Sequence, residues 1–237
     1  MTELLFHQDS YLREFDATVT EVVENGVVLD RTCFYIGGGG QPYDTGNLQC
    51  GDTEYPVSRV SRTDGKVVHQ IDGPLPEAGA QVTGKIDWDR RHLLMRTHTA
   101  LHILCGVVWR DYGAKVTGGD MRPGEARMDF ELEQMSAEFA HEVETRINAE
   151  VAAARQVEVG NLTREAAEQV PDLIRTKINL LPPNIREVRT IDITGLDIQA
   201  DGGTHVANTS EVGAIKVVGH ESKGRINKRL RIALVEE

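Results

Sequence analysis

Two short stretches carry the residue types that do chemistry, His98-Thr99-Ala100-Leu101-His102 and Asp201-Gly202-Gly203-Thr204-His205. The first lies in an apolar run, Leu93 to Trp109, with no Gly or Pro between Leu93 and Cys105, and such a run predicts a helix. Residues four apart on a helix lie one above the other on the same face. His98 and His102 therefore present two imidazoles to one point, the spacing that a metal pair needs. Two histidines at that spacing also arise by chance, and an unliganded pair is the plain alternative. The second stretch shifts the balance, because it offers a carboxylate and a third imidazole around two glycines, where the backbone can turn tightly enough to aim both at one ion. Three His and one Asp (His98, His102, His205, Asp201) form a borderline nitrogen and oxygen set that suits Zn2+, one ion per chain. Cys105, three residues after His102 on the same helix face, is a reserve ligand whose plain reading is a small core residue.

Structural zinc sites are mostly closed and rich in cysteine, whereas a site of His and carboxylate leans toward the catalytic kind. A zinc of that kind holds a water, lowers its pKa toward neutrality and polarises a carbonyl. Those are the requirements of ester hydrolysis. The residue after His98 is Thr99 rather than Glu, so the His-Glu-x-x-His pattern of zinc peptidases is not present and a peptidase is disfavoured.

His-x-x-x-His followed by Gly-Gly-Thr-His resembles the signature of the alanyl-tRNA synthetase editing domain and of its free-standing relatives, the AlaX proteins. The run Gly37-Gly38-Gly39-Gly40-Gln41-Pro42 and the length of the chain are similar to the medium-length AlaX type, and the resemblance covers nearly the whole sequence. One position departs from it, since the family commonly has Cys where this chain has Asp201; a carboxylate oxygen is an established zinc ligand. The resemblance implies a metal-dependent hydrolase working in trans on mischarged tRNA(Ala), with serine the amino acid removed and glycine a second candidate. It also implies that the glycine run faces the editing site, and that Thr117 occupies a position where the family places a hydroxyl near the amino-acid pocket; a strand threonine is the plain alternative. A pocket that accepts serine and spares alanine has to hydrogen-bond the extra hydroxyl, and Thr117 or Thr204 would be the partner. Two other classes stay open: a tRNA-binding module whose metal only orders the fold, and a zinc hydrolase of a small ester.

The 237 residues carry 26 Lys and Arg against 37 Asp and Glu, a formal net charge of −11. Phosphate contacts want basic surface, so the balance suits a small substrate better than a nucleic acid. The charge is uneven, however. Lys216, Lys223, Arg225, Lys228, Arg229 and Arg231 stand against the single acid Glu221 in one stretch, and Arg90, Arg91 and Arg96 precede the histidine pair. Either group could equally be a solvated face. No segment has the unbroken apolar length of a membrane span, and Met1-Thr2-Glu3 does not open a charged-then-apolar signal pattern. Three cysteines without a C-x-x-C pair point to a reducing, cytoplasmic setting.

The elements that must position these residues divide in two. Residues 1–88 predict an N-terminal β-barrel-like domain containing the glycine run, with strands at Phe15 to Val23, Val27 to Leu29, Tyr55 to Val60, Lys66 to Ile71 and Gln81 to Ile86. Asn25-Gly26 is a tight-hairpin signal, and the four glycines cannot be a P-loop because no Gly-Lys-Ser/Thr follows. Residues 89–237 predict a two-layer α+β domain that holds the metal. Its first helix, capped by Asp87 or Asp89, runs to about Tyr112 and stops at Gly113. Lys115 to Thr117 pairs with Ala126 to Leu132 around Gly118-Gly119 and Pro123-Gly124. A helix runs from Ser136 to about Ala154 with Phe139, Val143, Ile147 and Val151 inward. Then come a strand at Val157 to Val159, a short helix capped by Thr163 before Pro171, and an irregular stretch closed by Pro182-Pro183. Glu187 to Ile193, Val212 to Val218 and Arg229 to Val235 complete the sheet.

Overall fold

A computed structural model describes residues 2–170, 173–175 and 186–235; Pro171 and Pro182-Pro183, read from the sequence as boundaries, lie outside the described residues. The chain is α+β and divides into two compact units, Met1–Leu93 and Leu94–Glu237.

The first unit is a closed six-stranded barrel. A two-residue strand β1 (Glu3–Leu4) pairs in parallel with β4 (Arg31–Thr32), and the barrel itself is built from β2 (Glu14–Val23), β3 (Gly26–Leu29), β5 (Gly46–Cys50), β6 (Thr53–Thr63), β7 (Lys66–Ile71) and β8 (Gln81–Ile86), in the order β2-β3-β7-β6-β5-β8. Closure removes the sheet edges that an open sheet would expose. The inward positions are Phe15, Ala17, Val19, Val57, Val82 and Ile86 with their neighbours, the period of two that a strand with one buried face requires. Strand β5 is the one the sequence does not announce: Gly-Asn-Leu-Gln-Cys holds a single fully buried apolar residue, Leu48. Gly84 serves packing, since a Cβ there would stand 2.3 Å from the Phe15 ring.

The glycine run is exposed from Gly38 to Gly40, and all four glycines have positive φ, from 58 to 136°, a backbone that other residues adopt with difficulty. Its base is fixed, because the Tyr35 hydroxyl donates to the Gly38 carbonyl at 3.0 Å and the Gly38 and Gln41 amides bond each other's carbonyls. Behind it Tyr35 N–H donates to Asp44 at 2.7 Å, and the Asp44 carboxylate pairs with Arg91, both side chains wholly buried. Arg91 also donates to the Ser10 and Cys33 carbonyls at 3.0 and 2.5 Å.

The second unit is built on α1 (Trp88–Tyr112), which begins in the first unit. Arg90 N–H donates to the Asp87 carboxylate at 3.2 Å at its start, and Gly113, φ +63°, accepts the turn at its end. From Leu94 to Val108 nearly every residue of α1 is buried, the condition of a helix packed on all sides. The hairpin β9 (Val116–Arg122) and β10 (Glu125–Phe130) turns at Pro123-Gly124, while Gly118 and Gly119 lie within β9 rather than at a turn. Helix α2 (Ala137–Ala152) is capped by Ser136, whose hydroxyl accepts from Phe139 N–H at 3.1 Å, and buries Ala140, Val143 and Ile147. Next come β11 (Val157–Thr163), α3 (Arg164–Gln169), β12 (Glu187–Ile193), β13 (Asp197–Ala200), β14 (Ile215–Gly224) and β15 (Asn227–Leu234). These strands form two sheets where the sequence suggests one: β14-β15-β10-β9 and β11-β12-β13, all neighbours antiparallel.

Breaking one partner of a buried ion pair leaves the other charge uncompensated, at a cost of about 3–5 kcal/mol. Asp44→Ala is therefore expected to lower the denaturant midpoint of the full chain, and an unchanged midpoint would show the pair to be dispensable. His69, buried and bonded to Thr32 Oγ1 at 2.8 Å, is pushed down from 6.5 to about 4 by burial. Its folded pKa lies below the unfolded one, so it contributes no penalty above 6.5 and a growing one as pH falls from there toward about 4, on the order of 3 kcal/mol in all. His69→Gln should flatten that part of the stability-against-pH curve, read by chemical denaturation at pH 7 and 5.

Candidate metal centre

His98 and His102 project from one face of α1, as a spacing of four requires. Strand β13 leads out of the β12–β13 hairpin into Asp201, whose N–H donates to the Arg189 carbonyl at 3.1 Å, and the chain then turns through Gly202-Gly203 to Thr204 and His205. The turn is held by Asp201 itself, since Oδ1 accepts from Gly203 N–H at 2.6 Å. One ligand-type atom from each of His98, His102, Asp201 and His205 lies within 4.8 Å of all the others.

The imidazoles are oriented as well as gathered. Nε2 of His98, His102 and His205 lies 3.6, 4.0 and 3.2 Å from the Asp201 carboxylate. On the far side of its ring, His102 Nδ1–H donates to Asp197 Oδ2 at 3.0 Å, and His205 Nδ1 lies 3.2 Å from Thr99 Oγ1, which also accepts from Val206 N–H. His98 bonds the Thr204 backbone. Partners of this kind on the remote nitrogen fix tautomer and ring plane in metal-binding histidines.

Protonation states follow from burial. Burial, helped by His102 and Arg189, pushes His98 down to about 4, and burial with His98 beside it holds His205 well below its ordinary value. Burial also pulls on His102, but the bond and charge of Asp197 outweigh it and raise that imidazole. Burial would raise Asp201, yet the surrounding imidazoles hold it well below the usual carboxylate range. An ionised carboxylate facing imidazoles whose Nε2 atoms are turned inward is a donor set that a divalent cation fits. Cys105 does not join this group; it is buried, and burial keeps its thiol well above the ordinary value.

The other expected residues stand as follows. Thr204 is fully buried between Gly203 and His205. Thr117 is exposed on β9 and its hydroxyl donates to Asn227 at 2.9 Å. The basic run is partly balanced: Lys216 faces Glu144 at 3.0 Å, Arg229 faces Asp129 at 2.7 Å, Lys223 and Arg231 share Glu221, and Lys228 is buried on the Gly224 and Arg225 carbonyls. Arg90 donates to the Tyr43 carbonyl, Arg91 is buried, and Arg96 donates to the Val212 carbonyl.

Comparison with known proteins adds the lineage of this arrangement. Residues 6–90 match the family described as tRNA synthetases class II (A), and residues 188–231 match the threonyl and alanyl tRNA synthetase second additional domain. The alanyl-tRNA editing protein AlaX-M of Methanosarcina barkeri is 39% identical over 243 residues, covering all of both chains. That of Saccharolobus solfataricus is 40% identical over 236 residues, 97% of this chain and 98% of its own. The chain belongs to the AlaX-M family of alanyl-tRNA editing proteins. An alanine-tRNA ligase of Hyperthermus butylicus is 39% identical over 93% of this chain, which spans 24% of that ligase. The His98–His102 pair falls between the two matched spans, and the Asp201–His205 stretch falls inside the second.

The roles of Asp197 and Thr99 beside the histidines are not visible in the sequence. Thr99 adjoins His98, but nothing local marks it. Asp197 lies 95 residues from His102, and only the fold brings the two together. Substituting His98 or His102 by Ala should abolish stoichiometric metal binding in a titration of the purified protein, while Asp201→Cys, which keeps an anionic donor, should retain it.

Proposed function

We propose that this chain hydrolyses the ester of mischarged Ser-tRNA(Ala) in trans, through a single Zn2+ held by His98, His102, His205 and Asp201. The observation that carries the reading is the cluster itself, three inward-facing imidazole nitrogens around one ionised carboxylate, in a chain of the alanyl-tRNA editing family. When bound, zinc supplies Lewis acidity, polarising an ester carbonyl and acidifying a water. The protein's own part is positional. The Thr204 backbone bonds His98, so the segment that would meet the amino acid is tied to a metal-binding ring. Burial of Thr204 and the imidazoles keeps bulk water from screening these contacts.

Serine differs from alanine by one hydroxyl, and discrimination needs a partner whose hydrogen bond is lost with the wrong amino acid. The two threonines differ in setting: Thr204 is buried at the metal stretch, whereas the Thr117 hydroxyl is exposed and engaged with Asn227. We assign the serine contact to Thr204. Three carboxylates, Glu144, Asp129 and Glu221, face the cations of the basic run, so that hairpin keeps a surplus of positive charge.

The test is release of serine from Ser-tRNA(Ala), with Ala-tRNA(Ala) as control, with and without a chelator. Serine release that the chelator stops and added zinc restores, with alanine spared, is the expected result. Thr204→Val should cut kcat/KM for the serine substrate about 3–10-fold, the worth of one neutral hydrogen bond, with metal content unchanged. No release by folded, zinc-loaded protein would leave a tRNA-binding module with a structural metal; chelator-sensitive cleavage of simple aminoacyl esters alone would indicate a small-ester hydrolase.

A further inference from the structure

Asp197 is not among the four clustered residues, yet its side chain is wholly buried and its two oxygens serve opposite sides. Oδ2 accepts from His102 Nδ1–H at 3.0 Å and from Gln199 Nε2 at 2.7 Å. Oδ1 faces Arg175 Nη1 at 2.8 Å, an ion pair without hydrogen-bond alignment. A carboxylate out of water is costly unless paired, and the partner here is itself almost fully buried, 8% exposed. Arg175 is fixed at both ends: its guanidinium stands 5.5 Å from the centre of the Trp109 ring, and its carbonyl accepts Val116 N–H at 3.0 Å.

The helix makes room for the Leu196–Asp197 segment. Gly106 lies in the interior of α1, where glycine costs roughly 1 kcal/mol relative to alanine. A Cβ there would come within 2.8 Å of Leu196 and 3.1 Å of Asp197 Cβ. A buried charge, a buried counter-charge and a helix glycine are thus all arranged around one contact, the one to His102. His205 meets a neutral threonine hydroxyl in the corresponding place.

We propose that Asp197 is the positioning residue of the metal centre. It keeps the proton of His102 on Nδ1, leaves Nε2 as the donor facing Asp201, and locks the ring plane, while Arg175 balances its charge. This rests on the metal-centre reading given above.

The experiment measures Zn2+ affinity by chelator competition, and the ligand-field absorption of the Co2+ form, on the full chain. Asp197→Asn keeps an acceptor and removes the charge; it should bind zinc 10–100-fold more weakly, the usual worth of such a partner, with an altered Co2+ spectrum. Because that change leaves Arg175 unpaired, Asp197→Asn with Arg175→Met is made beside it and should show the same loss with a recovered unfolding midpoint. Gln199→Leu, which removes the second bond on Oδ2 together with the Gln199 contact to Cys105 while leaving Asp197 in place, should weaken zinc binding severalfold in a folded protein. Wild-type zinc affinity and an unchanged Co2+ spectrum across the folded variants would overturn the proposal. Failure of the unmodified protein to bind either metal would instead overturn the metal-centre reading on which it rests.

Discussion

Three imidazoles with ring centres 4.2 to 5.2 Å apart cannot all be imidazolium cations in a buried site. Their mutual repulsion and the loss of solvation act in the same direction. A single ionised carboxylate faces all three inward nitrogens, and together they make a set receptive to a divalent cation. Much of the second unit follows from that constraint. The helix that carries two of the rings is packed on nearly every face, so its side chains have no freedom to splay apart. Asp201 and His205 are delivered on a turn whose own hydrogen bonds run through the Asp201 carboxylate. The remote nitrogens of His102 and His205 meet Asp197 and Thr99, so rotation of either ring would break a buried bond.

The first unit solves a different problem with similar means. An exposed run of four glycines presents bare backbone, yet it is not loose at its base. Tyr35 and Gln41 bind it from below, Asp44 holds the Tyr35 backbone, and Arg91 neutralises Asp44 inside the barrel unit. A buried pair of this kind contributes more to defining one geometry than to net stability. The same helix supplies Arg91 to the barrel unit and the two histidines to the second unit.

Charge is spent locally in this molecule. The hairpin of β14 and β15 is the most basic stretch of the sequence, and in the fold Lys216 and Arg229 face carboxylates on neighbouring elements while Lys223 and Arg231 share Glu221 within the hairpin. The chain as a whole carries a net charge of −11, so the cations gathered on this hairpin stand against an otherwise acidic background.

How much of this is legible without coordinates differs by element. Barrel strands with period-two alternation, such as Gln81 to Ile86, and the apolar helix from Leu94 to Val108 can be read directly, because local periodicity reflects which face is buried. Strand β5 cannot, since Gly46–Cys50 has almost no β-forming residues and is held by pairing with β6 and β8 on both sides. The expected turn at Gly118-Gly119 failed for the same reason: neighbouring β10 keeps those glycines extended, and Pro123-Gly124 makes the turn. At the site, the spacing of His98 and His102 on a helix determines by itself that two imidazoles share a face. Only the tertiary structure decided which carboxylate would hold them. Asp197 and Asp201 are separated from the helix by most of the second unit, and their distance to His102 depends on how the β12–β13 hairpin meets α1, a contact across 95 residues of sequence that no local pattern encodes.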